Sequence, residues 1–291
     1  MTSSAPRLRF GIIADPQYAA AEPDLRLDRY FTKSLDKLDE AVRRFNAEEL
    51  DFVLTLGDVI DRGFENFDAV LSVYAGLRHE CLFLPGNHDF NVEEARLGEV
   101  HGRLRMAVPY YDLVRNGCRI VVIEGSDISL FAPPPGDPRR ATAEEMLRAL
   151  QQAGAANAQT WNGGVGEAQL AWLSGRLALA EEAGETVIVM GHYPLFPHNE
   201  HNLWNAEEVA GLLVRSPAGA AYFCGHNHAG NYGELGGTHF VNFRGMVDTE
   251  RENAFALVEV FDDRIDITGF GRESSRSLKL AADARPGWPS R

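Results

Sequence analysis

Phe52-Val53-Leu54-Thr55-Leu56-Gly57-Asp58-Val59-Ile60-Asp61-Arg62-Gly63 reads as a short strand that breaks, at a glycine, into a cluster of carboxylates. Its first five residues are almost wholly apolar, as a strand covered on both faces must be. The same pattern recurs outward in both directions. Leu8–Ile13 runs into Asp15-Pro16-Gln17, and Cys81–Leu84 into Gly86-Asn87-His88-Asp89. Thr186–Met190 runs into Gly191-His192, and Ala220–Cys224 into Gly225-His226-Asn227-His228. Further strand-like runs are Arg119–Glu124, Thr238–Phe243 and Ala256–Phe261.

Amphipathic helices separate many of these strands. The clearest places Phe31, Leu35, Leu38, Val42 and Phe45 on one apolar stripe. Others are expected near Asn66–Leu77, Glu93–Met106, Ala143–Ala153, Gly166–Glu182 and Asn205–Val214, the last with Asn205 as N-cap. Strands alternating with helices predict an α/β fold. From Ala220 onward strands and turns replace helices, which predicts a second sheet packed on the first. Ala132–Arg140 reads as a surface loop and Glu273–Arg291 as an irregular tail. No composition shift marks a linker, so residues 1–291 are expected to form one domain, with its core at about 8–271 and a tail over 272–291.

At 291 residues and 45% apolar composition the chain can bury a sizeable core. Its 28 basic against 42 acidic residues give a net charge of −14, which argues against a nucleic-acid or anionic-membrane surface. Cys81, Cys118 and Cys224 each lie in an apolar run, an odd count that predicts reduced, buried thiols. The Met1–Arg9 segment lacks an apolar stretch, and no run approaches the roughly 18 apolar residues of a membrane span. The expectation is a cytoplasmic protein acting on a small soluble molecule.

In open α/β sheets, ligands collect outside the carboxyl ends of the strands, which is where all five polar clusters fall. Asp15 and Asp58 supply hard oxygen donors, Asn87 an amide oxygen, and His192, His226 and His228 imidazoles. Such a mixture suits Mn, Fe or Zn better than Ca. Two cations about 3.5–4 Å apart would share a carboxylate and a hydroxide, activating a nucleophile and clamping phosphoryl oxygens. In a strand His226 and His228 would share a face; in a turn after Gly225 they can address different ions.

On these blocks the chain resembles the calcineurin-like metallophosphoesterases. Their pattern D-x-H … GD-x-x-D … GNH[DE] … GH … GH-x-H is met at every block except the first. The resemblance implies a four-layer α/β/β/α sandwich, two mixed sheets flanked by helices, and a dinuclear centre. By position, Asp15, Gln17, Asp58 and His228 would hold one ion, and Asp58, Asn87, His192 and His226 the other. Gln17 stands where most members have histidine. A neutral carboxamide oxygen is a harder donor and tilts the site toward Mn²⁺ over Fe or Zn. That departure is similar to one subfamily, the manganese-dependent ADP-ribose/CDP-alcohol diphosphatases. The similarity extends to Phe10–Tyr18, Trp161-Asn162-Gly163-Gly164, Gln169–Leu173 and His239–Asn242, and spans roughly Arg9 to Gly271. Asp61-Arg62-Gly63 is instead closer to the protein Ser/Thr phosphatases, in which the arginine contacts phosphate; the other reading pairs Arg62 with a surface carboxylate.

His88, next to a ligand, is placed to protonate the leaving oxygen or stabilise its charge, with Asp61 orienting it. Tyr18, Phe196 and Trp204 follow metal blocks closely and are candidates for stacking on a nucleobase. His198 and His201 are candidates for substrate contact, while Trp161 and Trp172 read as core or cap anchors. The loops Ala19–Leu27, Ser126–Gln159 and Phe196–Asn205 are expected to set substrate choice. The expected activity is hydrolysis of a phosphoanhydride or phosphodiester in a soluble nucleotide derivative of the ADP-ribose or CDP-alcohol type. The alternatives are a cyclic-nucleotide or glycerophosphodiester phosphodiesterase, or a phosphomonoesterase. A catalytically silent interaction scaffold is opposed by the intact ligand blocks.

Overall fold

Phe52–Leu56 is a strand in which every residue is buried, and its neighbours explain why. Gly11, Ile12 and Ile13 pair in parallel on one side, and Cys81–Leu84 on the other. In the computed structural model, which describes residues 5–280, twelve strands form two sheets of six. Along the chain they are β1 (Leu8–Ile13), β2 (Phe52–Leu56), β3 (Cys81–Leu84), β4 (Tyr111–Arg115), β5 (Cys118–Val122) and β6 (Thr186–Met190). They continue as β7 (Gly219–Cys224), β8 (Asn231–Leu235), β9 (Thr238–Asn242), β10 (Ala254–Val260), β11 (Arg264–Gly271) and β12 (Arg276–Lys279). The helices are α1 (Ser34–Asn46), α2 (Asn66–Tyr74), α3 (Val100–Arg103), α4 (Pro138–Gln152), α5 (Glu167–Ala183) and α6 (Ala206–Arg215).

The first sheet runs β12-β11-β10-β1-β2-β3 and the second β4-β5-β6-β7-β9-β8. Alternate side chains of the two sheets meet in a central core: Phe10, Ile12, Leu54 and Val258 from one, Ile120, Ile188, Met190 and Phe223 from the other. The opposite face of the first sheet packs Ile13, Val53 and Phe83 against Leu38, Phe45, Phe67 and Val70 of α1 and α2. The opposite face of the second packs Val121, Val187 and Val189 against Leu173 and Leu177 of α5 and Val209 and Leu213 of α6. The layers are therefore α/β/β/α, the sandwich that the metal blocks implied. Truncating one of these leucines to alanine would cost about 2–5 kcal/mol.

Several elements depart from expectation. The second sheet begins at β4, long before Ala220. The strands β10–β12 return to the first sheet, where β10 lies antiparallel to β1 with Leu8 opposite Val260. Within the expected tail, Arg276–Lys279 forms β12, and Leu278 joins the central core; residues 281–291 of that tail lie outside the described residues. The expected loop Ala132–Arg140 is cut short because Asp137 caps α4, its side chain accepting from the Arg139 backbone N–H. Glu93–Met106 is a 3₁₀ segment, Glu94–Glu99, followed by the single turn α3. Asn205 stands at the start of α6, but its carboxamide bonds Val165 N–H and C=O rather than the helix end. The three cysteines are free thiols, Cys118 and Cys224 buried. Among the described residues no helix is long and apolar enough to cross a membrane.

Candidate metal centre

The polar clusters leave the carboxyl ends of β1, β2 and β3 in one sheet and β6 and β7 in the other. Stacking the sheets brings these five exits to a common rim. The backbone at the rim is unusual. Asp15, Gln17, Asp58 and His226 have φ of 48°, 43°, 50° and 67°, and only eight non-glycine residues share that left-handed region among the described residues. Each such residue costs about 1 kcal/mol or more and persists where its surroundings over-determine it. Here they do. Gln17 N–H donates to Asp58 C=O at 2.7 Å, His88 N–H to Asp58 Oδ1 at 2.8 Å, and His226 N–H to both Asp15 carboxylate oxygens at 3.1 Å.

Two donor triads result, each with its ligating atoms within 4.8 Å of one another: Asp15, Asp58 and His228, and Asp58, His192 and His226. All five residues are buried, and Asp58 belongs to both triads. Gln17 and Asn87 complete the two groups. Gln17 Oε1 is buried without a hydrogen-bond partner, while its Nε2 donates to Asp58 Oδ2 at 3.3 Å. Asn87 Oδ1 lies 3.3 Å from His192 Nε2. Glycine is required where these groups crowd. A Cβ on Gly86 would strike Asp58 Oδ1, and one on Gly225 would stand 2.6 Å from Asp15 Oδ2.

The partners of each imidazole fix its tautomer. His192 Nδ1 donates to Leu56 C=O at 2.8 Å, so Nε2 is the nitrogen that carries a lone pair whenever the ring is neutral. His226 Nε2 donates to Asn162 Oδ1 at 2.9 Å, which leaves Nδ1 as a lone pair. His192 Nε2 and His226 Nδ1 face each other at 3.1 Å. His228 Nδ1 donates to Asp248 Oδ1 at 2.7 Å and turns Nε2 toward Asp15, 3.9 Å from Oδ1. Asn162 is itself held by donating to Asn157 C=O and Glu200 C=O. A second ring N–H committed to a carbonyl or carboxylate is how metal-binding histidines are oriented.

Proton affinities in the cluster are pulled apart. Burial pushes the Asp58 carboxyl up, but His192 and His88 outweigh it and hold it far below the carboxylate range. Burial wins at Asp15 and raises it, against the attraction of His228 and His192. His192 is raised to about 9 because Asp58 and Asp15 overcome its burial, whereas His226 is driven well down by burial and by His192. Cations would take the place of the proton that Asp58 and Asp15 draw onto His192 Nε2 and would offset the buried negative charge.

His88 lies beside this cluster. Its Nδ1 is 3.1 Å from Asp61 Oδ1 and 3.0 Å from Asp61 C=O. Burial lowers its pKa, but Asp58 and Asp61 outweigh that and raise it. Arg62 Nε is 2.6 Å from Asp61 Oδ2, and its guanidinium lies over the Phe31 ring at 5.6 Å. Arg62 thus pairs with a carboxylate, although a buried one.

A cleft of about 480 Å³ opens above Asp58, Asn87, His88, His226 and His228, and its walls are Arg26, Leu27, Arg29, Trp161 and His201. Of the six candidate substrate contacts, only His201 lines it; Tyr18, Arg62, Phe196, His198 and Trp204 do not. Tyr18 pairs its backbone with Ile60 and packs under the helices. Phe196 packs edge-on to Phe240 at 5.7 Å. Trp204 is 4% exposed, with its indole N–H donating to Gln159 C=O, so packing removes it as a stacking platform. His198 is 3.9 Å from Glu207 and opens onto a separate cavity of about 520 Å³. Conversely, Trp161 is 42% exposed on the cleft wall rather than an anchor in the core. The supporting roles of Asn162 and Asp248 were not legible from spacing. Arg26 and Leu27 sit in one of the loops expected to set substrate choice, and that loop was their only signal.

Comparison with known proteins agrees with this geometry. The family model for calcineurin-like phosphoesterase matches residues 8–230. A protein of Arabidopsis thaliana named manganese-dependent ADP-ribose/CDP-alcohol diphosphatase is 30% identical, the match covering 94% of this chain and 97% of that one. A Mus musculus protein of the same name is 26% identical, covering 95% and 94%. Among solved structures, a dimetal phosphatase from Danio rerio superposes with a TM-score of 0.85 at 24% identity, covering 95% of this chain and 100% of that chain. The anchor in the inner membrane complex of Plasmodium shares the fold at a TM-score of 0.60 and 11% identity, covering 95% and 90%.

Proposed function

The chain belongs to the calcineurin-like phosphoesterase family, and from that membership we propose that it is a Mn²⁺-dependent diphosphatase. Its substrate would be a small soluble nucleotide derivative of the ADP-ribose or CDP-alcohol type, cleaved at the phosphoanhydride in the cytoplasm. The observation that carries this reading is the donor set itself. The facing nitrogens His192 Nε2 and His226 Nδ1, an unpartnered Gln17 Oε1 and a doubly shared Asp58 would be satisfied together by two cations. Asp15, Gln17, Asp58 and His228 would hold one ion, and Asp58, Asn87, His192 and His226 the other. When bound, such ions acidify water and neutralise phosphoryl oxygens.

The chain's own groups do the rest. With Nδ1 committed to Asp61, His88 carries its transferable proton on Nε2, at the floor of the cleft, and delivers it to the leaving oxygen. Asp61 fixes that tautomer and favours the charged ring, while Arg62 holds the second oxygen of Asp61. Arg26 and Arg29 give the wall positive charge for a second phosphoryl group, which a diphosphate has and a monoester lacks. Trp161 offers an exposed aromatic face beside them, suited to a base or ribose. The relatives' names support the substrate class and Mn²⁺.

A substrate panel with Mn²⁺ tests the reading. ADP-ribose and CDP-choline should be cleaved far faster than cyclic nucleotides, bis-p-nitrophenyl phosphate or p-nitrophenyl phosphate. Turnover of the monoester alone would replace the diphosphatase reading with that of a phosphomonoesterase.

A further inference from the structure

Lys37 lies on α1, on the helical layer outside the first sheet, and is 3% exposed. Its ammonium is surrounded by the carbonyls of one turn. Nζ donates to Met246 C=O at 2.8 Å, Asp248 C=O at 2.8 Å and Thr249 C=O at 2.6 Å, with Val247 C=O at 3.4 Å. An ammonium has three N–H donors, and the three short bonds use them all. Burial draws the amine down to about 8, with Arg272 adding to the effect. Holding a cation here therefore has a cost, and the carbonyl bonds offset it.

The turn it grips leads into the metal centre. Met246 N–H donates to Ala14 C=O at 2.9 Å and Val247 N–H to Asp15 C=O at 3.0 Å, which fixes the exit of β1. Asp248 Oδ1 accepts from His228 Nδ1 at 2.7 Å. Gly245 lies flat against the His228 ring, where a Cβ would stand 2.5 Å from Cγ. Arg272 Nη2 braces the same turn through Gly245 C=O at 2.5 Å and Asp248 C=O at 3.1 Å. These contacts all converge on Asp15 and His228, one half of the centre.

We propose that Lys37 is a positioning residue for one of the two cations: by gripping the 246–249 turn it aims Asp15 and His228. The role presupposes the two-ion reading of the site. Residues that orient metal ligands typically change affinity by about 10–100-fold when removed. Equilibrium binding of Mn²⁺ alone to the metal-stripped full chain, with free Mn²⁺ read by electron paramagnetic resonance, tests it without any substrate. Wild-type protein should bind two Mn²⁺. Lys37→Met should keep one site at wild-type affinity and weaken the other by about 10–100-fold. Lys37→Gln, which retains two N–H donors, should lie between and guards against loss of the fold. Asp248→Ala should weaken the same site, and the double variant should lose little more than the worse single one, since both act through one contact chain. A general loss of stability would instead weaken both sites. Equal weakening of both sites, or of neither, overturns the role of Lys37. Fewer than two Mn²⁺ on the wild-type chain overturns the two-ion reading beneath it.

Discussion

Asn87 and His88 are adjacent in the chain and face different tasks. Asn87 points its oxygen into the His192 group, while His88 turns away to Asp61 and lines the cleft. Removing the His88 imidazole should therefore leave the donors intact. His88→Ala is expected to bind Mn²⁺ as wild type does and to lose about 10²–10⁴-fold in kcat, the range for a general acid. Metal analysis beside steady-state kinetics checks this, and unchanged kcat removes the proton-donor role. Much of this residue-level picture was legible in the sequence. Five polar clusters at the ends of apolar runs, four of them opened by a glycine, announce themselves jointly, because one shared ligand explains them all. The cleft wall was not legible. Whether Trp161 or Trp204 faces the cleft depends on how the loops between α4 and α6 fold back, and no periodicity encodes that. Asp248 was invisible for the same reason: it reaches His228 through a turn with no repeating pattern.

At the scale of elements, the strands that carry ligands were the easiest to read. β1, β2, β6 and β7 are buried almost end to end, so their sequences are near-continuous apolar runs, broken only by Arg9, Thr55 and Thr186. Of the four missed strands, β4, β8 and β12 are sheet edges, half exposed, with the charged and polar residues that edges carry. The fourth, β11, lies inside the first sheet but is only partly buried and so lacks a continuous apolar run. That difference also explains why the two sheets were apportioned wrongly. A link between elements gives a pH prediction. His101 of α3 is 2.8 Å from Glu124, just past β5, and so ties the helical layer to the second sheet. Burial pulls the imidazole pKa down, but Glu124 outweighs it and raises it. A raised pKa stabilises the fold fully below the unfolded value of about 6.5 and loses that contribution as pH rises through the folded value. Thermal unfolding of wild type and Glu124→Gln should differ most below about pH 6.5 and converge in alkaline buffer. A gap that widens with pH contradicts the pairing.

For the whole molecule, the decisive fact is that neither sheet owns the centre. β1, β2 and β3 deliver Asp15, Asp58 and Asn87, while β6 and β7 deliver His192, His226 and His228. The sandwich is the device that joins carboxylates to imidazoles. The net charge of −14 does not oppose an anionic substrate there, because charges beyond about 8 Å are screened and Arg26 and Arg29 line the mouth. The most direct test titrates Mn²⁺ into metal-stripped protein while bound metal and ADP-ribose cleavage are followed together. Cleavage should be absent without metal, rise with occupancy, saturate at two Mn²⁺ per chain, and vanish in Asp58→Asn as that variant loses metal. ADP-ribose cleavage by the metal-free chain, or a chain loaded with two Mn²⁺ that leaves ADP-ribose intact, would contradict it.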